Sequence, residues 1–211
     1  MNDDAIDVYT PSGGTRPCGA VIIVAGYPDA GFERIAGCKF KEMPSNVAWA
    51  KRIAASGLVA VAYSNREPVA DLHAVIRHVR ESLGIERIGL WASSGNAPLA
   101  VSALPLVRCA ALLYPYTIEV PEAARKYGFV TPDVPDFPAD VPLFVVRAGQ
   151  DAMPGLNETL TRFVRLASER NVPLTYVNLP AAPHAFDVAD DGETTREVIE
   201  QVLAFLRRHL C

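Results

Sequence analysis

Arg87-Ile88-Gly89-Leu90-Trp91-Ala92-Ser93-Ser94-Gly95-Asn96-Ala97-Pro98-Leu99-Ala100 decides how this chain is read. An apolar run ends in small residues around a serine and passes at once into an Ala/Leu-rich segment with helical character. A serine on a sharp strand-to-helix turn has a pinned backbone and an exposed hydroxyl, which is the geometry that presents a nucleophile. The usual pattern is small-x-Ser-x-Gly, and two registers are open. With Ser94 as nucleophile the flanking small positions are Ala92 and Asn96; with Ser93 they are Trp91 and Gly95. Strand and helix approach closely at such a turn, and Trp91 clashes there, which favours Ser94. Asn96 stands where glycine is usual, and Asn tolerates unusual backbone angles better than most residues. A plain Ser/Gly connection between strand and helix fits the same letters.

On either side of this stretch, apolar strands alternate with amphipathic helices. Residues 20–25, 58–63, 86–91, 109–114, 143–147 and 173–179 read as strands. Most are continuous apolar runs, as in strands buried on both faces. Helices are expected over about 46–56, 69–83, 95–104, 156–170 and 193–209. Gly57 and Gly84 stop the first two, and Val75, Ile76 and Val79 lie on the apolar stripe of the second. Gly26-Tyr27-Pro28-Asp29-Ala30-Gly31 reads as a loop. Such alternation implies an α/β fold: a mostly parallel, doubly wound sheet with helices on both faces, whose ligands bind beyond the carboxyl ends of the strands. One domain over 1–211 is expected. Residues 115–141 form a Pro-rich excursion with the size of a small lid, and Tyr116 is one of the aromatic residues there that can line a pocket.

Composition narrows the partners. The chain has 211 residues, half of them hydrophobic, and a net charge of −4. With no basic run, nucleic acid and anionic membrane are not expected partners. The N-terminus is acidic and polar, unlike a secretory signal, and no apolar run approaches a membrane span. Cys18, Cys38, Cys109 and Cys211 form no CxxC pair and no metal-ligand spacing with histidine, so no metal is expected. Four reduced cysteines in the cytoplasm are the simplest account. A homodimer is left open as the assembly.

Ser94, Asp151 and His184 follow three different strands, each at its carboxyl end. A serine hydroxyl is a weak nucleophile until a histidine takes its proton, and a carboxylate holds that imidazole in the right tautomer. Order and placement together argue against coincidence. The chain from about residue 19 resembles the α/β-hydrolases, and within them the dienelactone hydrolase-related branch. The resemblance lies in Ile88-Gly89-Leu90-Trp91-Ala92-Ser93-Ser94, in Ala148-Gly149-Gln150-Asp151, and in Pro183-His184-Ala185-Phe186, with proline where that branch has glycine. It implies Ser94 as nucleophile, Asp151 as acid and His184 as base. It also implies an oxyanion hole from the amide of Gly95 and an amide of the loop after strand 20–25, Tyr27 first and Gly26 second. Dienelactone hydrolase has a cysteine nucleophile and a loop glutamate; this chain has Ser94 and Tyr27. Arg66 lies near the place of that branch's substrate-binding arginines. The leading antiparallel strands of larger hydrolases are expected to be missing or reduced to residues 5–9. The function implied is hydrolysis of a small carboxylic ester through an acyl-enzyme, with no cofactor. A thioesterase or acyltransferase using the same triad, and a non-catalytic binding module on the same fold, are the alternatives.

Overall fold

The computed structural model describes residues 5–13, 17–117 and 140–211. Most of the Pro-rich excursion expected over 115–141 therefore lies outside the described residues.

Among the described residues, seven strands form one sheet: β1 (Ile6–Tyr9), β2 (Ala20–Ile23), β3 (Val59–Tyr63), β4 (Ile88–Ser93), β5 (Cys109–Leu113), β6 (Leu143–Ala148) and β7 (Leu174–Leu179). Their spatial order is β1-β3-β2-β4-β5-β6-β7. Every pairing is parallel except that of β1 with β3. β2 to β5 are buried at every position but Ser93, which explains why their sequences are unbroken apolar runs rather than alternating ones. β7 closes the sheet as an edge strand and is exposed at Thr175, Tyr176 and Asn178.

The helices are α1 (Asp29–Ala36), α2 (Pro44–Ala55), α3 (Pro68–Glu81), α4 (Ala97–Ser102), α5 (Leu156–Glu169), α6 (Phe186–Ala189) and α7 (Glu193–Leu210). Chain direction sets their faces. From β2 the chain moves outward to β3, whereas from β3 it crosses back past β2 to β4 and continues to β5 and β6. Crossovers between parallel strands are right-handed, so α2 covers one face and α3, α4 and α5 the other. The direction reverses between β2 and β4, which is where open α/β sheets generally place a ligand crevice.

Three elements differ from expectation. Residues 29–36 are helical although Gly26, Pro28 and Gly31 read as loop. A helical glycine costs about 1 kcal/mol; long-range contacts outweigh it here. The Asp29 carboxylate accepts the backbone N–H groups of Phe40 and Asn65, and Phe32 meets Phe40 edge-on at 5.5 Å. α2 begins at Pro44, a residue suited to a first helical turn, rather than after Ser45. The four-residue α6 is too short to leave a periodic signal.

The cysteines also correct the sequence reading. Cys18 and Cys211 are joined in a disulfide with Cα atoms 5.0 Å apart, fastening the end of α7 to the start of β2. Gly19 permits that approach: a Cβ there would lie 2.7 Å from the Leu210 Cβ. Arg87 Nη1 also donates to the Cys211 carbonyl at 2.8 Å. The expectation of four reduced cysteines is thus wrong for this pair, and it was a support of the cytoplasmic assignment, since disulfides persist in oxidising compartments. Cys38 and Cys109 are free. Burial pushes the Cys109 thiol up to about 12, so it is an inert core group.

Candidate active site

β4 runs through Ser93 and turns directly into a single 3-10 turn, Ser94–Asn96, before α4. Ser94 has φ +50°, a left-handed conformation that costs a non-glycine residue about 1–3 kcal/mol and persists only where its surroundings enforce it. Those surroundings are on both sides of the turn. Tyr116 N–H donates to the Ser94 carbonyl at 3.1 Å. Asn96 accepts the Gly26 N–H at Oδ1, 2.8 Å, and donates from Nδ2 to the Ser93 carbonyl at 3.1 Å. Asn96 itself has an ordinary right-handed backbone, φ −81°. It stands in place of glycine because its side chain ties the elbow to the loop after β2. Gly26 makes room for this: a Cβ there would lie 3.0 Å from the Asn96 Cα.

The loop after β2 is held from its other side by Asn65. Asn65 Nδ2 donates to the carbonyls of Ala25 and Tyr27, at 2.7 and 3.0 Å. Tyr63 Oη accepts the Ala25 N–H, and burial raises its pKa above the usual tyrosine value. Gly26 was expected as the second choice of oxyanion donor, but its N–H is committed to Asn96.

Asp151 and His184 lie on two loops stitched together by backbone. Gly149 N–H donates to the Leu179 carbonyl and Gln150 N–H to the Ala182 carbonyl, at 2.8 and 2.9 Å. A Cβ on Gly149 would lie 2.5 Å from the Pro180 carbonyl oxygen, so the Ala148-Gly149-Gln150-Asp151 motif needs glycine there. Across this seam Asp151 Oδ2 is 2.6 Å from His184 Nδ1, the geometry of an Nδ1–H donating to a carboxylate. Asp151 Oδ1 accepts the Met153 N–H at 2.9 Å, and its side chain is fully buried, whereas that of His184 is 29% exposed. The imidazole thus has one nitrogen fixed and its other edge toward solvent. Ala185, the next residue, has φ +55°, another strained position at the same end of the sheet.

Two further expectations are placed elsewhere. Tyr116 is buried, and its hydroxyl donates to the Pro154 carbonyl at 3.0 Å, so it braces the elbow from below. Arg66 is exposed and lines a cavity of about 430 Å³ with Pro28, Asp29, Glu33, Lys39 and Asn65. None of Ser94, Asp151 and His184 lines that cavity. Among the described residues no cluster of His, Cys, Asp or Glu side chains is arranged to hold a metal ion.

No protein-family model matches the sequence, and no curated relative does. Solved structures do match along nearly its whole length. A bacterial heroin esterase is 15% identical, with a TM-score of 0.71 over 98% of this chain and 79% of that one. A hyperthermophilic esterase from the archaeon Pyrobaculum calidifontis is 19% identical, with a TM-score of 0.71 over 96% and 80%. An esterase of the bacterial hormone-sensitive lipase family is 17% identical, with a TM-score of 0.73 over 100% and 86%. The chain has the α/β-hydrolase fold. The strained turn after β4, the loop after β2 and the joined loops after β6 and β7 all follow the carboxyl ends of parallel strands in one sheet. Sequence reading missed the bracing residues Asn65 and Asn96. Asn96 left one signal, its occupation of a glycine position; the carbonyls that Asn65 holds lie 40 and 38 residues away in sequence.

Proposed function

We propose that this protein is a serine hydrolase that cleaves a small carboxylic ester. The observation that carries this reading is the 2.6 Å contact of His184 Nδ1 with Asp151 Oδ2, at the same end of the sheet as a serine held at positive φ. A buried carboxylate bonded to one imidazole nitrogen leaves the other as proton acceptor. Ser94 Oγ attacks the ester carbonyl as His184 takes its proton. The tetrahedral oxyanion is stabilised by the backbone amides of Gly95 and Tyr27. Collapse expels the alkoxide, which receives the proton from His184. Water then repeats the sequence on the acyl-enzyme: it adds to the carbonyl as His184 takes its proton, the bond to Ser94 Oγ breaks as His184 returns that proton to the serine, and the acid departs. Asp151 accepts the Nδ1–H throughout and stabilises the imidazolium.

Similarity to esterases supports the substrate class. The structural neighbours include a bacterial heroin esterase and a thermophilic carboxylesterase. The narrower relationship to the dienelactone hydrolase-related branch rests on Ala148-Gly149-Gln150-Asp151 and Pro183-His184-Ala185-Phe186. Arg66, on its separate cavity, does not strengthen a dienelactone substrate. The Cys18–Cys211 disulfide weighs against a cytoplasmic location, since disulfides persist in oxidising compartments. The test is a p-nitrophenyl ester series of increasing acyl length on wild type and Ser94→Ala. Hydrolysis by wild type, with kcat at least about 10⁴-fold lower in the variant, is expected. Equal rates in the two proteins overturn the reading.

A further inference from the structure

Of the four described non-glycine residues with positive φ, three stand at the carboxyl edge of the sheet: Ser94, Ala185 and Tyr114. The first two belong to the elbow and the histidine loop. Tyr114, with φ +37°, follows β5 and has no part in the mechanism above. Strain of this kind concentrates where a fold holds a side chain in a functional place. The Tyr114 ring is almost fully buried and lies edge-on to the His184 imidazole, with centroids 4.8 Å apart. Phe186 flanks the same ring at 5.6 Å.

The Tyr114 hydroxyl is anchored. It donates to Asp187 Oδ1 at 2.6 Å, while Trp49 Nε1 donates to Asp187 Oδ2 at 2.7 Å. The Ser93 side chain, one residue before the nucleophile, lies beside the same hydroxyl. Burial, then the charge of Asp187, raises the Tyr114 pKa well above the usual tyrosine value, so the hydroxyl keeps its proton. Both oxygens of the Asp187 carboxylate thus hold donors. One chain of bonds links α2, the end of β5 and α6, which follows the histidine loop.

We propose that Tyr114, anchored by Asp187, is a positioning residue that holds the His184 ring in register with Ser94. The inference rests on the Ser94-His184-Asp151 reading. Asp151 fixes one nitrogen but leaves the imidazole free to pivot about that bond. The Tyr114 ring blocks the pivot, and the bond to Asp187 keeps that ring from turning away. Tyr114→Phe keeps the ring and loses the anchor. Tyr114→Leu loses both. Asp187→Asn leaves one acceptor for two donors, so Trp49 keeps it and the Tyr114 hydroxyl can only accept from the amide NH2; the charge-assisted bond that anchors the phenol is lost.

The test combines kinetics with a readout that needs no turnover. With a p-nitrophenyl ester, kcat is expected to fall about tenfold in Tyr114→Phe and Asp187→Asn, and about a hundredfold in Tyr114→Leu, with KM within twofold of wild type. The size follows from the steep dependence of such reactions on sub-ångström placement. In proton NMR of the ligand-free proteins, the downfield His184 Nδ1–H resonance is expected to be sharp in wild type and broadened in all three variants. Wild-type kcat in Tyr114→Phe and Asp187→Asn, or an unchanged resonance in Tyr114→Leu, overturns the proposal. A purely structural role would lower the melting temperature and leave the kcat of the residual folded protein intact, which also overturns it. If wild type hydrolyses no ester, the functional reading fails, and the resonance alone decides whether Tyr114 orders the imidazole.

Discussion

Replacing Asn96 by alanine isolates the bond that ties the elbow to the loop after β2. Asn96 is 4% exposed, and its amide makes two hydrogen bonds, with Gly26 N–H at 2.8 Å and the Ser93 carbonyl at 3.1 Å. Removing the acceptor leaves the Gly26 N–H buried beside Asn96, at a cost of about 1–3 kcal/mol. Losing the bond to Ser93 adds about 1 kcal/mol. The total, about 2–4 kcal/mol, corresponds to a fall of about 1–2 M in the urea midpoint at an m-value of about 2 kcal/mol/M. The slope itself should not change, because the surface exposed on unfolding is the same. Catalysis should suffer as well, since the left-handed Ser94 depends on its neighbours, and a 1.4 kcal/mol loss in the transition state is a tenfold loss of rate. The assay is urea unfolding followed by tryptophan fluorescence, with kcat measured at low urea, where the variant is fully folded. A midpoint shift below about 0.3 M, which at that slope is the size of an ordinary surface substitution, would refute the bracing role of Asn96.

Other consequences can be checked with the same protein. Asp151→Asn removes the acceptor that fixes the His184 tautomer; kcat should drop about 10⁴-fold with a native circular dichroism spectrum, and a loss under tenfold contradicts the assignment. Thiol titration of unfolded, unreduced protein should count only Cys38 and Cys109; four reactive thiols would contradict the disulfide. Cys18→Ser should cost about 2–5 kcal/mol in urea unfolding, because the bond spans 193 residues of sequence. Stability should also fall in alkali. The folded pKa values of Cys109, Tyr63 and Tyr114 lie above the ordinary 9.0 and 10.0, so their neutral forms favour the fold. That contribution is complete below about pH 9 and is lost as pH rises toward the folded values, by about 1.4 kcal/mol per unit per group. A urea midpoint unchanged between pH 8 and pH 10.5 would be evidence against it.

The buried strands were legible because each is a continuous apolar run, and 20–25, 58–63, 86–91 and 109–114 all lie on or beside an observed strand. The parallel order followed from their alternation with helices. β1 emerged at the expected 5–9 as the one antiparallel partner. What escaped was set by contacts distant in sequence. α1 is stabilised through Asp29 by residues 11 and 36 positions away, while its own letters contain Gly31. The Cys18–Cys211 pair is separated by almost the whole chain, and no spacing rule joins two such cysteines. At the candidate site, Asp151 and His184 meet as their order and loop positions suggested. Side-chain direction depends on packing that the sequence does not display: Arg66 lines a cavity that Ser94, Asp151 and His184 do not line, and Tyr116 packs with Leu156 and Met153.

Reaction of the folded protein with a fluorophosphonate, followed by intact mass and peptide mapping, tests the nucleophile most directly. One equivalent of label, confined to Ser94 and absent from Ser94→Ala, is the expected result. Label on Ser93, or no label on protein whose His184–Asp151 pair is intact, contradicts Ser94 as the reacting group.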